Sequence, residues 1–300
     1  MQIVAEIGCS HKGDISLAKA MMVKAKEAGF TAVKFQKRTP YLCVPKSMWR
    51  KQKQTEYGVM DYIEYRILVE FNKDQYMELM NFADNIGIEM FASVSDIQAA
   101  KDLKDIGMQK IKIPSSKVHE FDMINFCRHN FPDRIMSTGM SSESIIYACY
   151  MLLQPDVLCH SVAEYPTQNH NLYLGYIEWL KNTYNCKIGY SGHAENIISY
   201  IYAVYCGCDY IERHVCFSKK DDWISDNVFS LQIDEYKDFV EAIIEARKCY
   251  EIGDYDTIVA NLKQLLSDGA FKGNEKRKVF ECEIKKMEEL RGGHNGSILL

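Results

Sequence analysis

The stretch "KIGYSGHAENIISYIYAVYCGCDYIERHV" (187–215) holds two β-like runs and two histidines, and its reading decides the fold. The first run, "KIGYS" (187–191), passes through a Ser-Gly turn to His193. The second, "YIERHV" (210–215), alternates so that Glu212 and His214 share one side of a strand. The two histidines are either satisfied core residues or the two halves of one metal site. Whether strands of this kind recur along the chain separates the two.

They do recur. "IVAEI" (3–7), "AVKFQ" (32–36), "IEMFASV" (88–94), "KIKI" (110–113), "RIMST" (134–138) and "DVLCHSV" (156–162) are further short apolar runs. Amphipathic stretches lie between them, as in "ISLAKAMMVKAKEAG", where Ala18, Met21, Met22, Ala25 and Ala28 fall on one face at helical spacing. Asp14 suits the N-cap of that helix and Gly29 its stop. Eight strands, each followed by a helix, is the count of an α/β (β/α)₈ TIM barrel. A doubly wound open sheet would more often carry a Gly-rich phosphate loop after its first strand, and "EIGCSHKGD" is no such loop. The expected organisation is a TIM-barrel domain over 1–250 and a short helical C-terminal tail over 251–300, too short for a core of its own. The segment 39–72 exceeds an ordinary βα connection. With "WRKQKQTEYGVMDYIEYR" inside it, it reads as a lid over the barrel mouth or as a solvated excursion.

A chain of 300 residues that is 47% hydrophobic can bury a large core. A net charge of -5 argues against a nucleic-acid or anionic-membrane partner, without excluding a local cationic pocket. The eleven cysteines follow no paired framework, no leader-like segment opens the chain, and no apolar run is long enough to span a bilayer. These features predict a cytoplasmic protein with free thiols. Cys206 and Cys208 read as small buried hydrophobes.

Strand parity separates an inward set from a helix-facing set. Val33 and Phe35 suit the helix layer, which turns Lys34 and Gln36 inward. Ile111 and Ile113 do the same for Lys112, and Ile3, Ala5 and Ile7 for Glu6. Glu212 and His214 complete the set. Buried charges are costly unless paired or liganded. At the C-terminal end of a barrel this set reads as a site for an anionic ligand, or more plainly as a structural Lys–Glu network. The loops "IPSS" (113–116) and "STGMSSES" (137–144) add hydroxyls and backbone N–H groups suited to phosphate. His193 follows the seventh strand and His214 ends the eighth. Adjacent strands stand about 5 Å apart, so both imidazoles can reach one ion. Nitrogen and carboxylate ligands with room for water suit Mn²⁺, Fe²⁺ or Zn²⁺.

With these residues in hand, "VAEIGCSHKGD", "AVKFQ", "IKIPSS", "STGM", "EYPT", "IGYSGH" and "IERHV", in that order, make the chain resemble the sialic acid synthase (N-acetylneuraminate synthase) family over roughly residues 1–250. That family joins phosphoenolpyruvate to the open-chain aldehyde of an N-acylated hexosamine, giving a 3-deoxy-2-keto sugar acid and phosphate. The resemblance implies that Lys34, Lys112, Ser115, Ser137 and Ser191 hold phosphoenolpyruvate, with Gly139 shaping the phosphate loop. It implies that His193 and His214 bind a divalent metal, Mn²⁺ first, with Mg²⁺, Co²⁺, Fe²⁺ and Zn²⁺ as alternatives. Glu6 would handle water or protons near the metal, and Gln36, Tyr165 and Asp226 would line the sugar side.

The chain departs from the family pattern in several places. Lys117 stands where an acidic residue commonly follows the "SS" turn, and would suit an anionic sugar. Gly192 replaces the usual Asp of the "S-D-H" motif, and Ala163 the Asn or Ser before "EYP". The family's antifreeze-like C-terminal domain, which gives an arginine to the partner's sugar site, has no evident counterpart, so any homodimer would not be of that swapped type. The expected partners are phosphoenolpyruvate and an aldose. The alternatives left open are a synthase acting on a phosphorylated aldose, of the octulosonate or heptulosonate phosphate type, a Schiff-base aldolase, and a non-catalytic sugar-binding relative.

Overall fold

The computed structural model describes residues 1–252 together with Glu283 and Lys286. Eight parallel strands close on themselves: β1 (Gln2–Gly8) and β2 (Ala32–Lys37), then, after the hairpin β3 (Gln52–Thr55) and β4 (Gly58–Asp61), β5 (Glu89–Val94), β6 (Lys110–Ile113), β7 (Asp133–Ser137), β8 (Val157–His160), β9 (Lys187–Gly192) and β10 (Tyr210–Cys216). β1 pairs with both β2 and β10, which shuts the barrel. A short β11 (Leu231–Gln232) adds to the end of β10. All eight expected strands form the barrel. β8 is three residues shorter than its run, because it begins at Val157 and the chain leaves the sheet after His160.

Helices wrap the outside: α1 (Ile15–Ala28), then α2 (Pro40–Cys43) and α3 (Tyr62–Leu68) in the long excursion, then α4 (Lys73–Ile86), α5 (Ile97–Asp105), α6 (Phe121–Asn130), α7 (Glu143–Leu153), α8 (Tyr176–Thr183), α9 (Ile198–Tyr205) and α10 (Tyr236–Ile252). Local sequence explains α1. The Asp14 carboxylate accepts from the N–H groups of Ser16 and Leu17, and Gly29 takes φ 94°, a left-handed stop. Ala18, Met21, Met22 and Ala25 are buried on its inner face. The main apolar core lies between this helical layer and the outer faces of the strands. Ile3, Ala5, Ile7, Val33, Phe35, Ile111 and Ile113 all belong to it, as do Cys206 and Cys208.

Residues 39–72 form a folded wall at the barrel mouth. One apolar cluster joins Tyr65 and Val69 to Cys9, Trp223 and Ile224, and another joins Val44, Met48 and Ile63. That packing rules out the solvated-excursion reading. The helical tail expected over 251–300 lies outside the described residues, except for the end of α10 and for Glu283 and Lys286. Among the described residues, no helix is long and apolar enough to cross a membrane.

Candidate active site

A cavity of about 340 Å³ opens at the C-terminal ends of the strands. Glu6, Lys34, Gln36, Lys112, Ser115, Lys117, Ser137, Tyr165, Ser191, His193, His214 and Asp226 all line it. Gly139 lies beside it rather than on it. Its N–H donates to Ser115 Oγ at 3.0 Å, and a Cβ there would stand 2.7 Å from that oxygen. The approach of the β7 loop to the β6 loop therefore depends on the missing side chain.

The inward charges form one buried network, as the structural Lys–Glu reading anticipates, and this network is itself the cavity wall. Lys112 Nζ donates to Glu212 Oε1 at 2.7 Å and to Ser191 Oγ at 2.9 Å. Lys34 pairs with Glu6 and stands 3.7 Å from Glu212. Gln36 Nε2 donates to Glu6 Oε1 at 2.5 Å, and the Tyr210 hydroxyl to Glu212. The parallel register produces these meetings, since Glu6 lies opposite both Lys34 and His214. Burial alone would raise the Glu212 carboxyl, but the Lys112 and Lys34 ammoniums outweigh it and hold it well below the usual carboxylate range. Burial likewise opposes the charge on Lys34, and Glu212 and Glu6 keep it raised.

The imidazoles of His193 and His214 stand 5.6 Å apart, centre to centre. His193 Nδ1 lies 2.6 Å from the Val162 carbonyl oxygen, which leaves Nε2 for the cavity. Burial, then the neighbouring His214, push the His193 pKa down to about 3, so it is neutral as a ligand must be. His214 Nδ1 is buried without a hydrogen-bond partner, and Asp226 Oδ2 is 3.8 Å from it. Among the described residues no three His, Cys, Asp or Glu side chains converge as a metal cluster. The pair fits an ion that takes two nitrogens here and its remaining ligands from water or substrate.

Ser137 Oγ is also buried without a hydrogen-bond partner and lines the cavity, as a group reserved for a ligand would. Gly192 has a packing reason: a Cβ there would fall 2.6 Å from Tyr190 Cε1 and 2.7 Å from the Tyr200 hydroxyl. Those two tyrosines fill the space that a side chain would need.

Four residues at or beside the site escape the sequence reading. Arg38 and Arg66 line the outer part of the cavity. Arg38 continues the 34, 36 parity one step past the strand, and Arg66 is the last letter of the charged, aromatic segment of the excursion. Glu283 has no local signal. It is fully buried, and its Oε1 accepts from the N–H groups of Met140 and Ala163, each at 3.0 Å. Lys286 lines the cavity over the Tyr165 ring, 5.3 Å from its centre.

The family model that matches is that of the NeuB family, over residues 21–255. The chain is 31% identical to the N-acetylneuraminate-9-phosphate synthase of Mus musculus over 80% of its own length and 68% of that protein's. It is 27% identical to the N,N'-diacetyllegionaminic acid synthase of Legionella pneumophila, covering 84% and 74%. Among solved structures, the N-acetylneuraminic acid synthetase of Leptospira borgpetersenii matches with a TM-score of 0.75 at 25% identity, covering 88% of this chain and 92% of that one.

Proposed function

The chain belongs to the NeuB family, and from that premise we propose that its barrel, residues 1–250, is a synthase. It would condense phosphoenolpyruvate with the open-chain aldehyde of an N-acylated hexosamine, such as N-acetylmannosamine or a relative. The products would be a 3-deoxy-2-keto sugar acid of the nonulosonic type and inorganic phosphate. The observation that carries this reading is the meeting of the buried Lys34–Glu6–Glu212–Lys112 network with the His193/His214 pair on one cavity.

Phosphoenolpyruvate would lie against Lys34 and Lys112, with its phosphate toward Ser115, Ser137 and the Gly139 loop. Glu6 and Glu212 already balance the two lysines, so these orient the substrate more than they neutralise it, while hydroxyls and backbone N–H groups receive its oxygens. A divalent cation on His193 and His214, Mn²⁺ first, would polarise the aldehyde oxygen as a Lewis acid. Gln36, Tyr165, Asp226 and Lys117 would hold the acceptor with its aldehyde carbon over C3 of phosphoenolpyruvate. C3 then bonds to that carbon, the aldehyde oxygen takes the electron pair and a proton from solvent, and C2 is left electron-poor. Water adds at C2 and gives its proton to the Glu6 carboxylate. The tetrahedral adduct expels phosphate by C–O cleavage, the C2 hydroxyl proton going to the departing phosphate, and leaves the 2-keto group. Orientation of the two substrates and fixed dipoles would supply most of the acceleration.

The test is Mn²⁺-dependent phosphate release from phosphoenolpyruvate across a panel of aldoses, with mass spectrometry of the product. His193→Ala and His214→Ala should each abolish release, as should EDTA. Full activity in either variant sinks the metal assignment.

A further inference from the structure

Arg213 stands between Glu212 and His214 on β10 but does not line the cavity that they share. Alternation turns it the other way, toward the helical layer and the main apolar core, where it is only 3% exposed. A guanidinium out of water is costly unless its donors are met. Here each terminal nitrogen has two oxygen acceptors. Nη1 donates to the Ala194 carbonyl and, at 2.9 Å, to the Tyr200 hydroxyl. Nη2 donates to the Glu195 carbonyl at 3.0 Å and to the Phe229 carbonyl at 3.2 Å. The guanidinium also lies over the Tyr200 ring, 4.9 Å from its centre.

These acceptors surround the two histidines. Ala194 and Glu195 directly follow His193, and His214 directly follows Arg213. The Phe229 ring packs edge-on against both imidazoles, its centre 5.9 Å from that of His193 and 5.1 Å from that of His214. On its other side His193 is tied to the loop after β8. Its Nδ1 lies 2.6 Å from the Val162 carbonyl oxygen, and its own carbonyl accepts from the Thr167 N–H at 3.1 Å. Arg213 thus joins the segment after His193, the strand that carries His214 and the aromatic wall against both. Gly192, its register partner on β9, leaves room for this arrangement: a Cβ there would fall 2.7 Å from the Tyr200 hydroxyl, one of the four acceptors.

We propose that Arg213 is a positioning residue for the metal centre, holding His193 and His214 at one separation and orientation by fixing residues 194–195 and Phe229 to the back of β10. It touches neither metal nor substrate and acts through the backbone. This rests on the metal reading of the two histidines above. With only two imidazoles to offer, affinity depends on how well they are set before the ion arrives.

The test titrates the full chain, stripped with EDTA, with Mn²⁺ by calorimetry, and separately with phosphoenolpyruvate in the absence of metal. Arg213→Met should weaken Mn²⁺ binding by about tenfold to a hundredfold, the range found when a group that orients metal ligands is lost. Arg213→Lys keeps a point donor on a flexible stem and should fall between that variant and the native protein. Metal-free phosphoenolpyruvate affinity should match the native value in both, because Glu6 and Glu212, not Arg213, hold Lys34 and Lys112. A general loosening of the barrel would weaken both ligands together. Should Arg213→Met fail to fold, Arg213→Lys and Tyr200→Phe decide: each must lose Mn²⁺ affinity by about threefold or more, the worth of one hydrogen bond, and keep phosphoenolpyruvate. Native Mn²⁺ affinity in the variants, or equal losses for the two ligands, overturns the proposal and leaves the synthase reading standing. A native protein that binds no phosphoenolpyruvate sinks the synthase reading, and one that binds no Mn²⁺ sinks the metal reading and this inference with it.

Discussion

The inner and outer halves of the cavity treat charge in opposite ways. In the inner half, Lys34 and Lys112 meet Glu6 and Glu212, and the network closes on itself. Even the backbone donors at Met140 and Ala163 have received a carboxylate of this chain, that of Glu283. In the outer half, Arg38 and Arg66 have no carboxylate within ion-pair distance among the described residues, and Glu70 and Asp226 act on them only from farther away. The nearby Asp226 carboxyl feels them: burial raises it, but His214, Arg38 and Arg66 together hold it below the usual carboxylate range. The inner half is pre-organised whether or not a ligand is present. The outer half holds no such closed network among the described residues.

The largest break in this comparison would come from Lys112→Met. It leaves Glu212 buried with its nearest cation gone and Lys34 still 3.7 Å away. Removing one partner of a buried pair costs about 3–5 kcal/mol, and chemical denaturation should show a loss of that size. Phosphate release should fall by roughly a hundredfold or more. Lys112→Met/Glu212→Gln should regain most of the stability and none of the activity. If the single variant denatures like the native protein, the inner network is not self-supporting and the contrast fails.

A smaller effect belongs to Glu283. Its carboxylate occupies two N–H donors beside the Gly139 loop, where the synthase reading seats a phosphate, so tail and ligand compete for the same groups. Glu283→Gln keeps the shape and removes the charge. One charge-assisted contact is worth about 1.5–3 kcal/mol, so inorganic phosphate should bind about tenfold more tightly to the variant by titration calorimetry. Unchanged affinity would show that the carboxylate and the phosphate do not share a place.

The sequence discloses the two halves unequally, for a physical reason. Alternation along a strand is a local property, so the inward sides of β1, β2, β6 and β10 can be assigned before any contact is known, and Lys34, Gln36, Lys112, Glu6 and His214 line the cavity as parity requires. Which carboxylate answers which ammonium is not local. Lys112 and Glu212 meet only because the barrel brings β6 and β10 across from each other. Arg66 is placed by the packing of Tyr65 and Val69 against Cys9 and Trp223, which no periodicity encodes. Gly192 reads in the sequence as a departure from the family, and only the tyrosines packed behind it explain why no side chain fits.

The smallest effect, and the sharpest, concerns the stability of Arg66→Met. Methionine keeps an apolar stem and deletes the charged head that lies over the Tyr65 ring. Where a cation has its own carboxylate, as Lys112 does, deleting it strands a buried charge. Arg66 has no carboxylate within ion-pair distance among the described residues, so deleting it strands no paired charge, loses only the longer-range attraction of Glu70 and Asp226, and relieves a desolvated guanidinium. The unfolding free energy should therefore stay within about 1 kcal/mol of the native value, or rise. Inorganic phosphate should raise the Tm of the native protein more than that of the variant, because a ligand stabilises only the state that binds it. A loss as large as that expected for Lys112→Met would place Arg66 in the self-supporting half, and the outer cavity would then have no structural need of an anion.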